Sequence, residues 1–424
     1  MPRIALLTLL ILAVTASAAS AGTTGPCRPV TGSPTCFIDY APVPHYRGVN
    51  DGDTIDVMLG GKRKQIRFVG VQAAEMHRYT TDPAKWQGEC HAVAAARFVL
   101  KMIKKGHWRV RLMSQVQRND SIGRLERSPA VFFGGKWHDI GEMEMARGLT
   151  LWLHNTPETA WNERYNELGQ RAAQKGIGVF DKTACGSGPA QDTPFRVWVM
   201  SDPIGDDTRD INSEYVRIQN LGARSVSLYG WWLSDAGKKQ LRYHFPQGTR
   251  IAAGDYITVR TGHGVNSGGT YYRGLDGTQF ENSVNGGGAG DGAYLFDPKG
   301  DNRAWMIYPC LLSCSDPNQG ALRVSANAIR GPEYVDIRNV SNHHISLFGY
   351  ELRLPGAYGF GPDAALDPGE TMRVYVEGSP SDDTRLVKHI GYDQAYLVDA
   401  GGTAQVTTFD EIVLGCDSWG DAHC

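Results

Sequence analysis

The sequence predicts a mainly β protein of several domains, in which a small barrel with three helices precedes two β-sandwiches. Three observations support this fold class. The chain has 424 residues, which is too long for a single hydrophobic core. Helix patterns occur only in the first half, whereas short strands and glycine-rich turns fill the second half. The second half also repeats one pattern of strands.

The first half combines strand signals with three amphipathic helix patterns. Residues 54–59 and 65–69 read as strands joined by the turn at Gly60-Gly61, and strands are also predicted over 108–113 and 130–133. Apolar residues at helical spacing predict helices over 86–105, 138–147 and 158–175. Three helices around about five strands fit a small barrel of the oligonucleotide-binding kind, the OB-fold.

The second half contains an internal repeat. Residues 214–233, EYVRIQNLGARSVSLYGWWL, align without gaps with residues 333–352, EYVDIRNVSNHHISLFGYEL, and nine of the twenty positions are identical. Each copy spans about 100 residues of short strands and turns, as expected of a β-sandwich. The repeats resemble lamin-tail domains, which implies two immunoglobulin-like sandwiches over roughly 194–308 and 320–415. The second copy is more divergent, because Tyr350 stands where that family usually has tryptophan.

The N-terminus and the cysteines point to export. Arg3, an apolar run and a small-residue cleavage site predict a signal peptide over residues 1–21. Residues 22–46 are predicted to be an extended leader. Eight cysteines in an exported chain favour disulfides over a metal site. The preferred pairs are Cys27–Cys36 and Cys90–Cys185, and the remaining four cysteines pair within the C-terminal half.

Charge divides the chain into a basic and an acidic part. Residues 41–183 contain 22 Lys and Arg against 15 Asp and Glu, a net charge of +7. Residues 184–424 contain 19 against 29, a net charge of −10. A basic module followed by an acidic one indicates that the first part meets a polyanion, with ordinary solvated surface charge as the alternative.

Four short segments of the first half carry residues suited to phosphate chemistry. They are Asp51-Gly52-Asp53-Thr54, Arg67 followed by Glu75, the turn Asn119–Arg124, and the last helix with Tyr165. Carboxylates on a tight turn suit a hard divalent cation. Paired guanidiniums match phosphate oxygens, on which charge accumulates during cleavage of a phosphodiester.

The order of these segments resembles the staphylococcal nuclease family over residues 47–183. The shared succession is D-G-D-T, then R-F-V-G-x-x-x-x-E, a helix, D-x-x-G-R and a tyrosine-containing helix. The resemblance implies that Asp53 binds Ca²⁺ and that Arg67 and Arg124 clamp the phosphate. It also implies that Glu75 orients or deprotonates the attacking water, and that the products carry a 3′-phosphate.

Two departures from that family affect the predicted site. Gln72 stands where a second metal-binding aspartate is usual, so the metal site of Asp53 and Gln72 lacks one negative charge. Weaker Ca²⁺ binding, or preference for another divalent ion, is the predicted consequence. Ile122 replaces a tyrosine that contacts the nucleotide in the founding member.

The leading hypothesis is a secreted, Ca²⁺-assisted nuclease acting on DNA, RNA or both. The sandwiches would serve attachment to a cell-envelope or extracellular partner. We expect a monomer without a membrane-spanning segment. One alternative is an extracellular nucleic-acid- or surface-binding protein that keeps the nuclease fold without turnover. The other is an adhesion protein in which the sandwiches dominate.

Overall fold

A computed structural model describes residues 36–76, 88–187, 192–237, 241–282, 288–329 and 331–424. It is mainly β, with one strand-and-helix unit followed by two sandwiches. The predicted signal peptide and Cys27 lie outside the described residues. Within them, no helix is long and apolar enough to cross a membrane.

The first unit, called the barrel unit below after the fold that the sequence predicts, contains a six-stranded sheet and a separate pair of strands. Its strands are β1 (Phe37–Pro42), β2 (Thr54–Leu59), β3 (Lys62–Phe68), β4 (Val71–Gln72), β5 (Arg109–Ser114), β6 (Leu125–Phe133), β7 (Lys136–Asp139) and β8 (Leu151–Trp152). The sheet order is β1-β5-β6-β3-β2, with β7 paired to β6, while β4 and β8 form a separate pair. The β3 and β6 strands are parallel, so their starts and ends face the same way.

The barrel sheet begins before the predicted boundary at residue 47. Strand β1 lies in the segment predicted to be an extended leader, and it pairs antiparallel with β5 from Phe37↔Ser114 to Pro42↔Arg109. Only Ala41 is buried among the six residues of this strand, so its sequence lacks a clear buried face. The polar and turn-forming residues on either side also favour the prediction of an irregular segment.

Three helices pack against the sheet: α1 (Ala92–Lys105), α2 (Ile140–Met145) and α3 (Asn162–Lys175). Helix α1 ends before Gly106 and α3 ends before Gly176, as the sequence predicts. The α1 helix starts six residues later than the predicted 86, because His91 has a left-handed backbone with φ of 70°. Its neighbour Cys90 forms a disulfide with Cys185, which confirms that predicted pair.

The first sandwich has two four-stranded sheets with orders β16-β15-β10-β9 and β13-β12-β17-β18, plus the pair β11-β14. Its strands are β9 (Phe195–Met200), β10 (Tyr215–Asn220), β11 (Val226–Ser227), β12 (Trp232–Ser234), β13 (Tyr243–His244), β14 (Arg250–Ile251), β15 (Tyr256–Arg260), β16 (Thr270–Tyr272), β17 (Gly292–Phe296) and β18 (Asn302–Ile307). Trp231 is buried in its core and packs edge-on against Phe195, while Trp232 is partly exposed.

The second sandwich repeats this arrangement with orders β19-β20-β25-β26 and β23-β22-β27-β28, plus the pair β21-β24. Its strands are β19 (Leu322–Asn327), β20 (Tyr334–Asn339), β21 (Ile345–Ser346), β22 (Tyr350–Arg353), β23 (Ala357–Gly359), β24 (Ala365–Leu366), β25 (Thr371–Glu377), β26 (Val387–Tyr392), β27 (Gly401–Thr408) and β28 (Val413–Gly420). Strand β28 extends past the predicted boundary at 415. It contains Cys416, which forms a disulfide with Cys424. The sequence repeat is therefore a repeat of structure.

The barrel unit and the first sandwich share a buried contact. Tyr294 and Ile307 of the sandwich belong to the same hydrophobic cluster as the barrel core. Gln170 on α3 donates to the Pro309 carbonyl at 2.7 Å and accepts from the Leu311 amide at 3.0 Å. A third disulfide, Cys310–Cys314, lies beside this contact. The three described disulfides are compatible with an extracellular location.

Candidate active site

Neighbouring strands bring the predicted site residues together at one end of the barrel sheet. Thr54 at the start of β2 lies opposite Arg67 near the end of β3. Arg67 in turn lies beside Glu126 on the parallel strand β6, and Arg124 immediately precedes that strand. Because β3 and β6 are parallel neighbours, Arg67 and Arg124 lie at the same end of the sheet although they are 57 positions apart in the chain.

Asp53 is the centre of this group. It is 5% exposed. Its Oδ2 accepts from the Ala73 amide at 2.8 Å, and its Oδ1 accepts from the Thr54 hydroxyl at 2.9 Å. The same Oδ1 forms an ion pair with Nη1 of Arg67, whose Nη2 donates to Oε1 of Gln72 at 2.7 Å. The guanidinium of Arg67 therefore lies between the two predicted metal ligands.

Arg124 reaches the same group from the other side. Its Nε donates to Oδ2 of Asp120 at 2.6 Å, and Asp120 also accepts from the Arg124 amide at 2.9 Å. Its Nη1 donates to the Thr54 hydroxyl at 3.4 Å. Thr54 thus links Arg124 to Asp53, and through Asp53 to Arg67. The two arginines are held at one site, each by a different carboxylate.

Glu75 lies within electrostatic reach of this group. Its charge contributes to raising the pKa of both Arg67 and Asp51. Its amide donates to Oε2 of Glu89 at 3.1 Å, and the Glu89 amide donates back to the Glu75 carbonyl at 2.9 Å. The Glu89 carboxylate also accepts from Nη1 and Nη2 of Arg242 in the first sandwich, at 2.6 and 3.1 Å. The sandwich therefore helps to fix the backbone that carries Glu75.

The site holds more carboxyl groups than its cations balance. Burial, and after it the charge of Asp53, raises the pKa of Asp51 to about 8. Burial opposes the charge of Arg67, but the combined attraction of Asp53, Asp51 and Glu75 raises the pKa of Arg67. Glu144 on α2 is fully buried, and neither of its carboxylate oxygens has a hydrogen-bond partner among the described residues. Burial, then the charges of Asp53 and Asp51, raises the pKa of Glu144 well above its usual range.

These donors fit a hard divalent cation such as Ca²⁺. Carboxylate and amide oxygens are suitable ligands, and both oxygens of the buried Glu144 lack a hydrogen-bond partner among the described residues. An ion bound by Asp53 and Gln72 would compete with Arg67 for the same oxygens. Within the described residues, the only set of at least three His, Cys, Asp or Glu ligand atoms within 4.8 Å is Cys90, His91 and Cys185, and its two cysteines form a disulfide.

Two residues singled out from the sequence have other surroundings. Tyr165 is buried in the core, where its hydroxyl donates to Asp139 at 2.6 Å, so it supports the fold. Ile122 is 74% exposed at the turn before Arg124. Sequence reasoning missed Thr54 as a link, Glu89 as a support for Glu75, and Glu144.

Comparisons with known proteins bear on the sandwich region. Among curated proteins, no significant match to the chain is found. The family model of the Lamin Tail Domain matches residues 198–309. That segment is the first sandwich, and the match does not include the barrel unit. The chain therefore contains a lamin-tail, immunoglobulin-like domain.

Proposed function

We propose that this protein is a secreted, divalent-cation-assisted nuclease that hydrolyses phosphodiester bonds of DNA, RNA or both. The observation that carries the proposal is the joint position of Arg67 and Arg124, linked through Thr54 and Asp53. Two guanidiniums at one edge of a basic unit can bind the non-bridging oxygens of one phosphate.

Each residue then has a defined task. Arg67 and Arg124 bind the phosphate and stabilise the charge that develops on its oxygens during attack. Glu75 orients a water molecule or accepts its proton, so that the water oxygen forms the new bond to phosphorus. The bond from phosphorus to the 5′ oxygen of the next nucleotide breaks, and that oxygen takes up a proton. A strand with a 3′-phosphate and a strand with a 5′-hydroxyl are the products.

The cation site belongs to Asp53 and Gln72. When bound, Ca²⁺ or another divalent ion supplies positive charge beside the phosphate and polarises it as a Lewis acid. Gln72 offers a neutral amide oxygen in place of a carboxylate, so the binding of the ion is weaker. With the ion held by Asp53 and Gln72, the guanidinium of Arg67 would be free to bind the substrate phosphate.

Cleavage of fluorogenic single-stranded DNA and RNA tests the proposal. We expect activity with Ca²⁺ that is lost in EDTA. Arg67→Ala and Glu75→Ala each lower kcat/KM by about 100-fold or more. Arg63→Ala is a matched control, since Arg63 lies on the same strand and its side chain is 45% exposed. Its Nε donates to Oδ2 of Asp56 at 2.8 Å, and neither residue belongs to the candidate site. No cleavage with any divalent ion, or equal loss in Arg63→Ala, contradicts the proposal.

A second candidate is a nucleic-acid-binding protein without turnover. The observation in its favour is that Arg67 is engaged by Asp53 and Gln72, so the guanidinium is not pointed at open solvent. Binding of DNA or RNA that weakens steeply with salt, with no cleavage in Ca²⁺, Mg²⁺ or Mn²⁺, would support this candidate. In either case the two sandwiches serve attachment to an envelope or extracellular partner.

A further inference from the structure

The outer face of the β1-β5-β6-β7 sheet carries three aromatic side chains in contact with one another. Tyr40 on β1 is 59% exposed and Phe132 on β6 is 46% exposed. Trp137 on β7 lies between them, with ring centroids 5.7 Å from Tyr40 and 5.4 Å from Phe132. We call Tyr40, Phe132 and Trp137 the aromatic platform. Large apolar rings grouped at a surface mark a binding site more often than scattered ones do.

Two arginines lie on the same face of the sheet. Arg111 is opposite Tyr40 in the strand register, and Arg109 is two residues away on the same strand. Arg109 is exposed, and with the platform it lines a groove of about 340 Å³. Arg111 is 4% exposed, with its guanidinium 4.8 Å from the centre of the Trp137 ring. Its Nε and Nη2 have no hydrogen-bond partner among the described residues, so a buried cation underlies the platform.

The segment that includes β5 is basic, and Arg109 and Arg111 are its members on this face. Residues 90–119 contain no Asp or Glu. They contain seven Lys and Arg residues: Arg97, Lys101, Lys104, Lys105, Arg109, Arg111 and Arg118. Two acidic side chains close to the two arginines of this face, Asp39 and Asp139, form no ion pair with either of them that the structure shows. Asp39 is on the opposite face of β1, and Asp139 is buried and accepts from Ser128, Trp161 and Tyr165.

We propose that the aromatic platform with Arg109 and Arg111 is a second binding site, which holds the bases and phosphates of a single-stranded nucleic acid. Aromatic rings in a basic groove bind single strands of any sequence, because every base can stack and every linkage is anionic. A second copy of this chain is a poorer occupant, since two faces of like charge repel each other. This inference deepens the proposed function and rests on it for the choice of polyanion.

The location of the platform defines how it would serve the active site. Strand β6 begins at Leu125, next to Arg124, and reaches Phe132 seven residues later. At about 3.3 Å per residue, the platform lies about 23 Å from the site along the strand. A strand of roughly seven stacked nucleotides covers this distance at about 3.4 Å each. The platform would therefore favour long single strands over short ones.

The test measures binding of fluorescein-labelled dT12 and dT3 by anisotropy in EDTA, using the full chain carrying Arg67→Ala so that no cleavage occurs. We expect dT12 to bind more tightly than dT3. Tyr40→Ala and Phe132→Ala should each weaken dT12 binding by about 5- to 100-fold, the range for one stacked base. Arg109→Glu should weaken it comparably and lower its dependence on salt.

Tyr229→Ala is the matched control, because Tyr229 is 63% exposed on the first sandwich and far from the basic region in sequence. Thermal melts by circular dichroism identify variants that do not fold, and these are excluded. If both Tyr40→Ala and Phe132→Ala are excluded, the affinity of Arg109→Glu for dT12 decides the test. Unchanged dT12 affinity in the folded variants overturns the inference. So does a change in oligomeric state by light scattering without a change in affinity, which would make this face a protein contact. Binding that depends on the platform without any cleavage by the unsubstituted protein would refute the proposed function and leave the platform in place.

Discussion

In each of the two sandwiches, a buried asparagine binds the backbone of its own fold. Asn220 and Asn339 occupy equivalent positions of the repeat, and both are fully buried. Asn220 donates to the carbonyls of residues 224, 251 and 252, and Asn339 donates to those of residues 343 and 366. At the candidate site of the barrel unit, by contrast, the buried Asp53 forms an ion pair with Arg67, and the carboxylate oxygens of Glu144 have no hydrogen-bond partner among the described residues.

This difference separates groups that hold a fold from groups available for chemistry. A buried polar atom costs stability unless it is hydrogen-bonded, so the unpartnered carboxyl of Glu144, which lies within electrostatic reach of Asp53, points to a role in the site. Tyr350 replaces the tryptophan found at Trp231 in the first copy, and its hydroxyl donates to Asp316 and accepts from Asn318. Around Asp53 in the barrel unit, carboxyl groups outnumber the arginines that face them, and burial raises the pKa of Asp51 and of Glu144.

The largest expected effect is on activity, and it comes from the barrel unit. Arg124→Ala removes one of two guanidiniums from the phosphate, so kcat falls about 100- to 1000-fold, or about 3 to 4 kcal/mol of transition-state stabilisation. The melting temperature changes little, because the ion pair of Arg124 joins it to Asp120 within one exposed surface turn and therefore contributes weakly to stability. Steady-state kinetics and thermal melts on the same sample measure both effects. If Arg124→Ala loses stability and keeps activity, Arg124 supports the fold and does not bind the phosphate.

The next effect is on stability, and it comes from the sandwiches. Asn220→Ala leaves three carbonyls without their donor, and we expect a loss of about 2 to 3 kcal/mol in unfolding free energy from urea titration. Asn339→Ala should behave alike in the second sandwich. Gln219→Ala is the control, since this neighbour makes one exposed bond to the Gly254 carbonyl. Nuclease activity per folded molecule should not change in any of the three.

A stabilising substitution is expected in the barrel unit. Glu144→Met replaces a buried, unpartnered carboxyl by an apolar side chain, and should raise the unfolding free energy at pH 7 by about 2 kcal/mol. The raised pKa of Glu144 makes its own contribution most favourable below about pH 4.5, and that contribution is lost as pH rises. The gain from the substitution should therefore be larger at pH 7 than at pH 4. Equal gains at both pH values would show that Glu144 does not titrate in this way.

The resemblance to the staphylococcal nuclease family predicts Asp53, Arg67, Glu75 and Arg124 as site residues. In the structure Asp53 pairs with Arg67, Thr54 links Asp53 to Arg124, and Glu75 lies within electrostatic reach. The supporting contacts were not predictable, because they join distant positions. Arg124 and Thr54 are 70 residues apart, and Arg242 and Glu89 are 153 apart.

Local pattern also misled at particular places. Glu144 lies in a helix between apolar neighbours, where a charged residue would ordinarily face solvent, and only the packing of α2 on the site shows that it is buried. Strand β1 escaped prediction because its pairing with β5, not its own composition, makes it a strand. The repeat in the sandwiches was the most reliable signal, because two copies of one pattern imply two copies of one fold.

The smallest expected effect concerns the cation. Gln72→Asp adds a carboxylate beside Asp53, so Ca²⁺ should bind about tenfold more tightly, or about 1.4 kcal/mol, in isothermal titration calorimetry. The same carboxylate also strengthens the pull on Arg67, which now donates to the Gln72 amide oxygen, and this competition limits the gain. Gln247→Asp adds equal charge at an exposed position of the first sandwich and should leave Ca²⁺ affinity unchanged. If both variants bind Ca²⁺ like the unsubstituted protein, Gln72 is not at the cation, and the excess of carboxyl groups around Asp53 needs a different explanation.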